Sequence, residues 1–137
     1  MWYLFSKPAY LLRYWLPIII YCVLIFFQSA NPPPVSLPKF LLFDKLLHFA
    51  AYAFLGAMFL RALRTLPLKN RPVLILSLSI LFSTLYGFSD ELHQHFVPDR
   101  QADLWDALAD MLGSVAGVWA YHKAVSKDRP FLARILD

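Results

Sequence analysis

Asp44, His48 and Tyr52 recur every four residues, an interval that stacks side chains on one helix face, and Lys45 stands beside that stripe. Glu91 and Gln94 share a second face, Asp103, Asp106 and Asp110 form a third stripe, and Arg100 stands just ahead of it. These residue types suit three kinds of chemistry. Arg100, Lys45 and His48 can contact phosphate, with carboxylates orienting the cations. Glu91, Asp106, Asp110 and His48 can hold a divalent cation, the one cofactor the sequence suggests. His48 or Asp103 can move a proton. No His-Glu-x-x-His pair, Gly-x-Ser-x-Gly elbow, Walker loop or Cys-x-x-Cys pair narrows the choice.

Helices that carry such stripes need a solvent, and the composition names it. Of the 137 residues, 59% are hydrophobic and 16% charged, against about 45–50% and about 25% in soluble domains. That much apolar surface calls for a bilayer. Nucleic acid is excluded as a partner: despite the net charge of +4, the basic residues flank apolar runs instead of forming a patch interleaved with aromatics. Cys22 is the single cysteine, within an apolar run, so no intramolecular disulfide forms.

The apolar segments predict an all-α, polytopic, four-transmembrane-helix bundle forming one domain over 1–137, with helices at about 14–29, 40–63, 73–95 and 104–121. The first ends at Asn31-Pro32-Pro33-Pro34 and is read as uncleaved, because Phe27 and Gln28 stand where a signal peptidase needs small residues. Pro38 and Pro72 precede the second and third, where a missing N–H costs little. Lys7, Arg13, Arg61, Arg64, Lys69, Arg71, Lys123, Lys127, Arg129 and Arg134 all fall on one side, ten of the thirteen basic residues. Cytoplasmic loops retain such residues, so both termini are expected inside. Asp44, Asp90, Glu91, Asp99, Asp103, Asp106 and Asp110 lie at the opposite, outer ends.

Asp110 lies about 10 Å along the helix from Asp103 at 1.5 Å per residue, well inside hydrocarbon. There it must be protonated, paired with Arg100, Lys45 or His48, or bound to a metal. Continuing its stripe inward gives Gly113 and Gly117, a spacing that lets a neighbouring helix approach closely. Plainer roles stand beside these. Asp103 and Asp44 can cap their helices, His93 and His95 can pack in an interfacial loop, and His122 can mark the membrane boundary. Capping does not explain Asp110.

Asp44-Lys45-Leu46-Leu47-His48-Phe49-Ala50-Ala51-Tyr52 resembles the Asp-Lys-x-x-His-x-x-x-Tyr signature of the VanZ-like family of bacterial membrane proteins. Asp90-Glu91-Leu92-His93-Gln94, Val97-Pro98-Asp99-Arg100 and the run from Asp103 to Gly113 are similar to that family in order and spacing, as is Phe26-Phe27-Gln28-Ser29. Asp110 stands where the family commonly has Asn, and Asp99 where it has Gly. The resemblance implies a multi-pass protein of the bacterial cytoplasmic membrane with four or five helices. It also implies a link to low-level teicoplanin resistance, without a defined reaction.

Four functions remain open at this point. The cluster can bind an anionic envelope lipid, polyprenyl-phosphate-linked lipids among them, with Asp44, Lys45, Tyr52, Gln94, Arg100 and Asp103 as contacts. It can hydrolyse or transfer a lipid-linked substrate with metal assistance through His48, Glu91, Asp106 and Asp110. It can serve packing alone, in a homo-oligomer or against another membrane protein. An ion or proton pathway is the fourth. The topology has a direct check in a Cys22→Ser background: external maleimide should modify a cysteine placed at Val35 or Asp99 and spare one at Lys69 or Lys127. External labelling at position 69 would overturn it.

Overall fold

Proline sets several helix starts in this chain. The structure, a computed structural model, describes residues 8–31, 41–68, 70–98, 100 and 102–127. All regular structure among them is helical: α1 (Pro8–Tyr14), α2 (Leu16–Ala30), α3 (Leu41–Leu63), α4 (Pro72–Gln94) and α5 (Leu104–Lys127). Pro8 and Pro72 are the first residues of α1 and α4, where a proline removes no intrahelical bond. The predicted stop at Pro32-Pro33-Pro34, the start at Pro38, and the basic residues Lys7, Lys69, Arg129 and Arg134 lie outside the described residues, as does Asp99.

Two expected boundaries need correction. The first helical stretch begins at Pro8, not near Tyr14, and is interrupted at Trp15. Pro17 has no N–H for the Arg13 carbonyl, yet Trp15 still donates to Leu11 and Ile19 to Trp15, both at 3.0 Å, so the chain stays helical across the break. The last helix runs past Tyr121 to Lys127. Water satisfies a polar helix end, and Lys123, exposed near that end, suits the negative pole of its dipole. The starts and ends of α3 and α4 lie within one residue of expectation.

The most extensive contact in the fold is between α3 and α5. Its cause is the absence of side chains. A Cβ on Gly117 would sit 1.8 Å from the Ala53 carbonyl oxygen, and one on Gly113 would sit 2.2 Å from that of Phe49. From the other side, Gly56 faces the Ser114 carbonyl, where a Cβ would be 2.8 Å away. α4 closes against this pair through Ser79, Ser83 and Gly87, all buried. Ser114 Oγ lies 2.8 Å from Ser83 Oγ and donates to the Asp110 carbonyl at 2.8 Å, while Ser83 donates to the Tyr52 carbonyl at 3.3 Å. Small polar residues thus satisfy one another where the three helices meet.

α2 is held to this core by phenols. Tyr86 of α4 donates to the Cys22 carbonyl at 2.5 Å, and Tyr21 donates to the Ala51 carbonyl of α3 at 3.2 Å. Tyr10 of α1 is hydrogen-bonded to Thr65. Outward faces are apolar: Leu46, Leu85, Leu112 and Trp119 are each half or more exposed. A soluble monomer rarely shows so much contiguous apolar surface. Two helical stretches, Phe43–Leu63 and Pro72–Gln94, are long and apolar enough to cross a membrane.

Gly117→Leu should drive a branched side chain into the Ala53 carbonyl and cost about 3 kcal/mol, the upper range for overpacking. Val115→Leu, on the exposed face of the same helix, should leave unfolding nearly unchanged. Denaturant or thermal unfolding in detergent, followed by circular dichroism, would compare the two.

Candidate functional site

Close approach of α3 and α5 puts their polar stripes in contact at the end of the bundle that carries the carboxylates. In the first turns of α3, Lys45 Nζ donates to Asp103 Oδ2 at 2.7 Å and to Asp106 Oδ1 at 2.8 Å. Asp103 also caps α5, because its Oδ1 accepts the Trp105 N–H at 2.9 Å. The Lys45 ammonium, helped by that N–H, holds the Asp103 carboxyl below the usual carboxylate range. Lys45 thus spends two of its three N–H donors on carboxylates. Asp44, in the first turn of α3, is exposed.

One turn deeper, His48 Nδ1 lies 3.0 Å from Asp110 Oδ1 and 4.0 Å from Glu91 Oε1. Of the three partners anticipated for Asp110, the structure selects His48. Asp110 is 1% exposed, and its Oδ2 is buried with no hydrogen-bond partner among the described residues. That oxygen packs against Gly87, where a Cβ would meet it at 2.9 Å. Glu91, also buried, uses Oε2 to accept the Asp103 N–H at 3.0 Å, tying the end of α4 to the start of α5. Gln94 points its amide at Asp90 and Glu91 at 3.3 and 3.4 Å.

His48 is also where this buried network meets a cleft. The cleft has a volume of about 80 Å³, and its polar wall includes Asp44, His48, Tyr52, Asp90, Gln94 and Arg100. Ser29 Oγ and Tyr52 Oη are buried there without hydrogen-bond partners among the described residues. Lys45, Glu91, Asp103, Asp106 and Asp110 lie behind His48 and do not line the cleft. The ten candidate residues are thus brought to one region as a cleft and a buried network, linked by His48 and by the Gln94 amide at Glu91.

Arg100 does not turn inward to Asp103, Asp106 or Glu91. Its Nη2 donates to the Gln28 carbonyl at 2.9 Å and the Asn31 carbonyl at 2.8 Å. The last carbonyls of α2 have no intrahelical partners, and a guanidinium at a helix C-terminus meets both those acceptors and the dipole. The end of α2 therefore contributes Gln28 and Ser29 to the cleft. His93 belongs to α4, not to a loop, and stacks on Phe26 of α2 at 4.5 Å between ring centroids.

Sequence reasoning did not assign Ser83, Gly87 or Asp90 to the site. The signal was present, because Ser79, Ser83, Gly87, Asp90, Glu91 and Gln94 follow at helical intervals as a small and polar stripe in an apolar helix. Two triads can offer metal ligands: Asp44 with His48 and Asp106, and His48 with Glu91 and Asp110, the donor atoms of each lying within 4.8 Å of one another.

The VanZ/LLP1 family model matches residues 14–126, a span that holds every residue of this cluster. The chain belongs to that family. Its membership and its two apolar helices of spanning length make it a membrane protein. None of the curated proteins and none of the solved structures matches it.

His48→Leu should leave Asp110 buried without its partner and destabilise the fold by about 3–5 kcal/mol, the cost of orphaning one member of a buried pair. His48→Leu combined with Asp110→Leu should recover most of that loss. Unfolding of both variants in detergent measures the coupling.

Proposed function

We propose that the chain is a multi-pass protein of the bacterial cytoplasmic membrane, with four crossings and both termini inside. We propose further that its outward cleft binds or processes an anionic envelope lipid or a lipid-linked cell-wall component. α1 and α2 together, from Pro8 to Ala30, would make the first crossing: about 34 Å of helix at 1.5 Å per residue, enough for a core about 30 Å thick. α5 carries Asp106 and Asp110 on its protein-facing side, where α3 and α4 shield them from lipid. The family's link to low-level teicoplanin resistance agrees with a cell-wall precursor as the ligand.

One observation carries the lipid reading: the polar cleft adjoins an apolar groove. Leu16, Ile20, Leu24, Phe54 and Met58 line a groove of about 350 Å³ between α2 and α3. Tyr21, in that groove, bonds to the carbonyl of Ala51, which lines the cleft. A molecule with an anionic head and a long apolar tail would meet both compartments. Arg100 and His48 would face its phosphate, and the Ser29 and Tyr52 hydroxyls would gain the partners they lack. The guanidinium keeps donors for this, since both of its carbonyl bonds use Nη2 and its Nε has no partner among the described residues.

A second reading, metal-assisted hydrolysis or transfer on the same lipid class, is favoured by the His48, Glu91 and Asp110 triad and by the unpartnered Asp110 Oδ2. A divalent cation there would act as a Lewis acid beside the cleft. One experiment addresses both readings. Binding of an undecaprenyl phosphate to the protein in nanodiscs should weaken about tenfold in Arg100→Gln, as expected for one lost charge-assisted contact, and recover in part in Arg100→Lys. Melting temperatures should shift little. Unchanged binding in Arg100→Gln would reject the lipid reading. Wild-type binding lost with a chelator and restored by Zn²⁺ or Mg²⁺ would select the metal reading.

A further inference from the structure

The opposite end of the bundle holds a different constellation. A cavity of about 360 Å³ lies between the end of α3, the start of α4 and the end of α5, lined by Arg64, His122 and Ser126 with apolar walls from Leu60, Ile75 and Leu76. His122 and Ser126 are one turn apart on α5 and so share a face. Arg64 Nη1 is buried with no hydrogen-bond partner among the described residues. A buried donor left in that state is costly.

Its neighbours use their charge elsewhere. The Arg61 guanidinium stacks over Tyr14 at 5.0 Å, and the Lys123 ammonium lies over Trp119 at 5.9 Å. No Asp or Glu occurs in residues 53–88 or 111–127, so this end of the described structure carries cations and no carboxylate. α4 begins there at Pro72 with no side-chain cap. Pro72, the first residue of α4, lines the cavity and has no N–H, so the helix start offers the positive end of its dipole there.

We propose that this cavity is a second site, separate from the outward cleft, that binds a phosphate-bearing anion. A guanidinium, an imidazole and a hydroxyl meet there beside the positive end of the α4 dipole. A tetrahedral phosphate offers oxygens in all those directions, whereas a planar carboxylate would satisfy the arginine and leave the others unmet. The volume falls within the range of about 300–1,000 Å³ common to small-ligand pockets, roomy enough for a glycerophosphate group. In the topology proposed above, this end faces the cytoplasm. The anion is then either the head group of an inner-leaflet phospholipid, with Leu60, Ile75 and Leu76 beside its glycerol, or a soluble phosphate ester.

The test uses the full chain carrying Arg100→Gln, which disables the outward cleft, delipidated in neutral detergent and observed by native mass spectrometry. Phosphatidylglycerol should be retained at about tenfold lower concentration than diacylglycerol, which lacks the phosphate. Arg64→Gln should abolish most of that advantage, and so should His122→Ala, which keeps the test decisive if the arginine variant unfolds. Lys123→Gln removes a charge outside the cavity and should change retention by less than about twofold, as for an exposed, screened charge. Displacement of the lipid by sn-glycerol 3-phosphate would support the site with a soluble ester as ligand; no displacement would support it with the lipid. Equal retention of phosphatidylglycerol and diacylglycerol, or equal losses in Arg64→Gln and Lys123→Gln, would overturn the proposal.

Discussion

The distance between α3 and α5 governs the rest of this structure, and it is set by atoms that are missing. At Gly113 and Gly117 the backbone of α5 lies against the carbonyls of Phe49 and Ala53. Within a bilayer no hydrophobic force drives two helices together, so close backbone packing must supply much of the attraction. The same approach brings Lys45 to Asp103 and Asp106 and His48 to Asp110. Were the helices separated by ordinary side chains, these short contacts would open, and the carboxylates would face lipid or each other. Packing at the glycines and pairing at the charges are one constraint seen at two levels.

Charge is divided along the molecule. The described carboxylates gather at one end, where pairing and helix caps answer most of them, and the arginines of the loop between α3 and α4 sit at the other. At the acidic end the network has a stable part and an unfinished part. Lys45 ties α3 to the cap of α5 by bridging Asp103 and Asp106. Asp110 Oδ2, Tyr52 Oη and Ser29 Oγ do not have partners. Unmet buried polar atoms are uncommon in native structures and call for a specific reason, and a ligand at the cleft is the reason developed above. His48 touches both parts, so its chemistry is coupled to the packing of α5.

Much of the fold was legible in order along the chain. Apolar runs between prolines and charges gave the helices, with α3 and α4 correct to within a residue. The four-residue interval from Asp44 to Tyr52 placed one stripe correctly, and the glycine pair anticipated the close contact. Two boundaries were not legible, for different reasons. The first helical stretch is interrupted at Trp15 because Pro17 leaves the Arg13 carbonyl, four residues upstream of it, without its helical N–H, and the end of α5 is polar, so hydropathy stops before the helix does. Ser79, Ser83 and Gly87 escaped notice because each is unremarkable alone and acquires meaning only when a neighbouring helix lies against it.

The sequence by itself determined which residue types exist at which height along each helix, since 1.5 Å per residue and a 100° turn leave no freedom in that placement. Helix geometry thereby places acids, an imidazole and an arginine near one end of the bundle. Only the tertiary structure decided who pairs with whom. Three cations competed for Asp110, and the choice of His48 depends on how α3 and α5 are rotated and how near they come, quantities set by the joint packing of Gly113, Gly117, Phe49, Ala53 and Gly87. Arg100 likewise had nearby acids in sequence, yet it binds the bare carbonyls at the end of α2, a helix about seventy residues earlier in the chain. Local periodicity cannot specify such partners, because it describes one helix at a time and a pairing belongs to two.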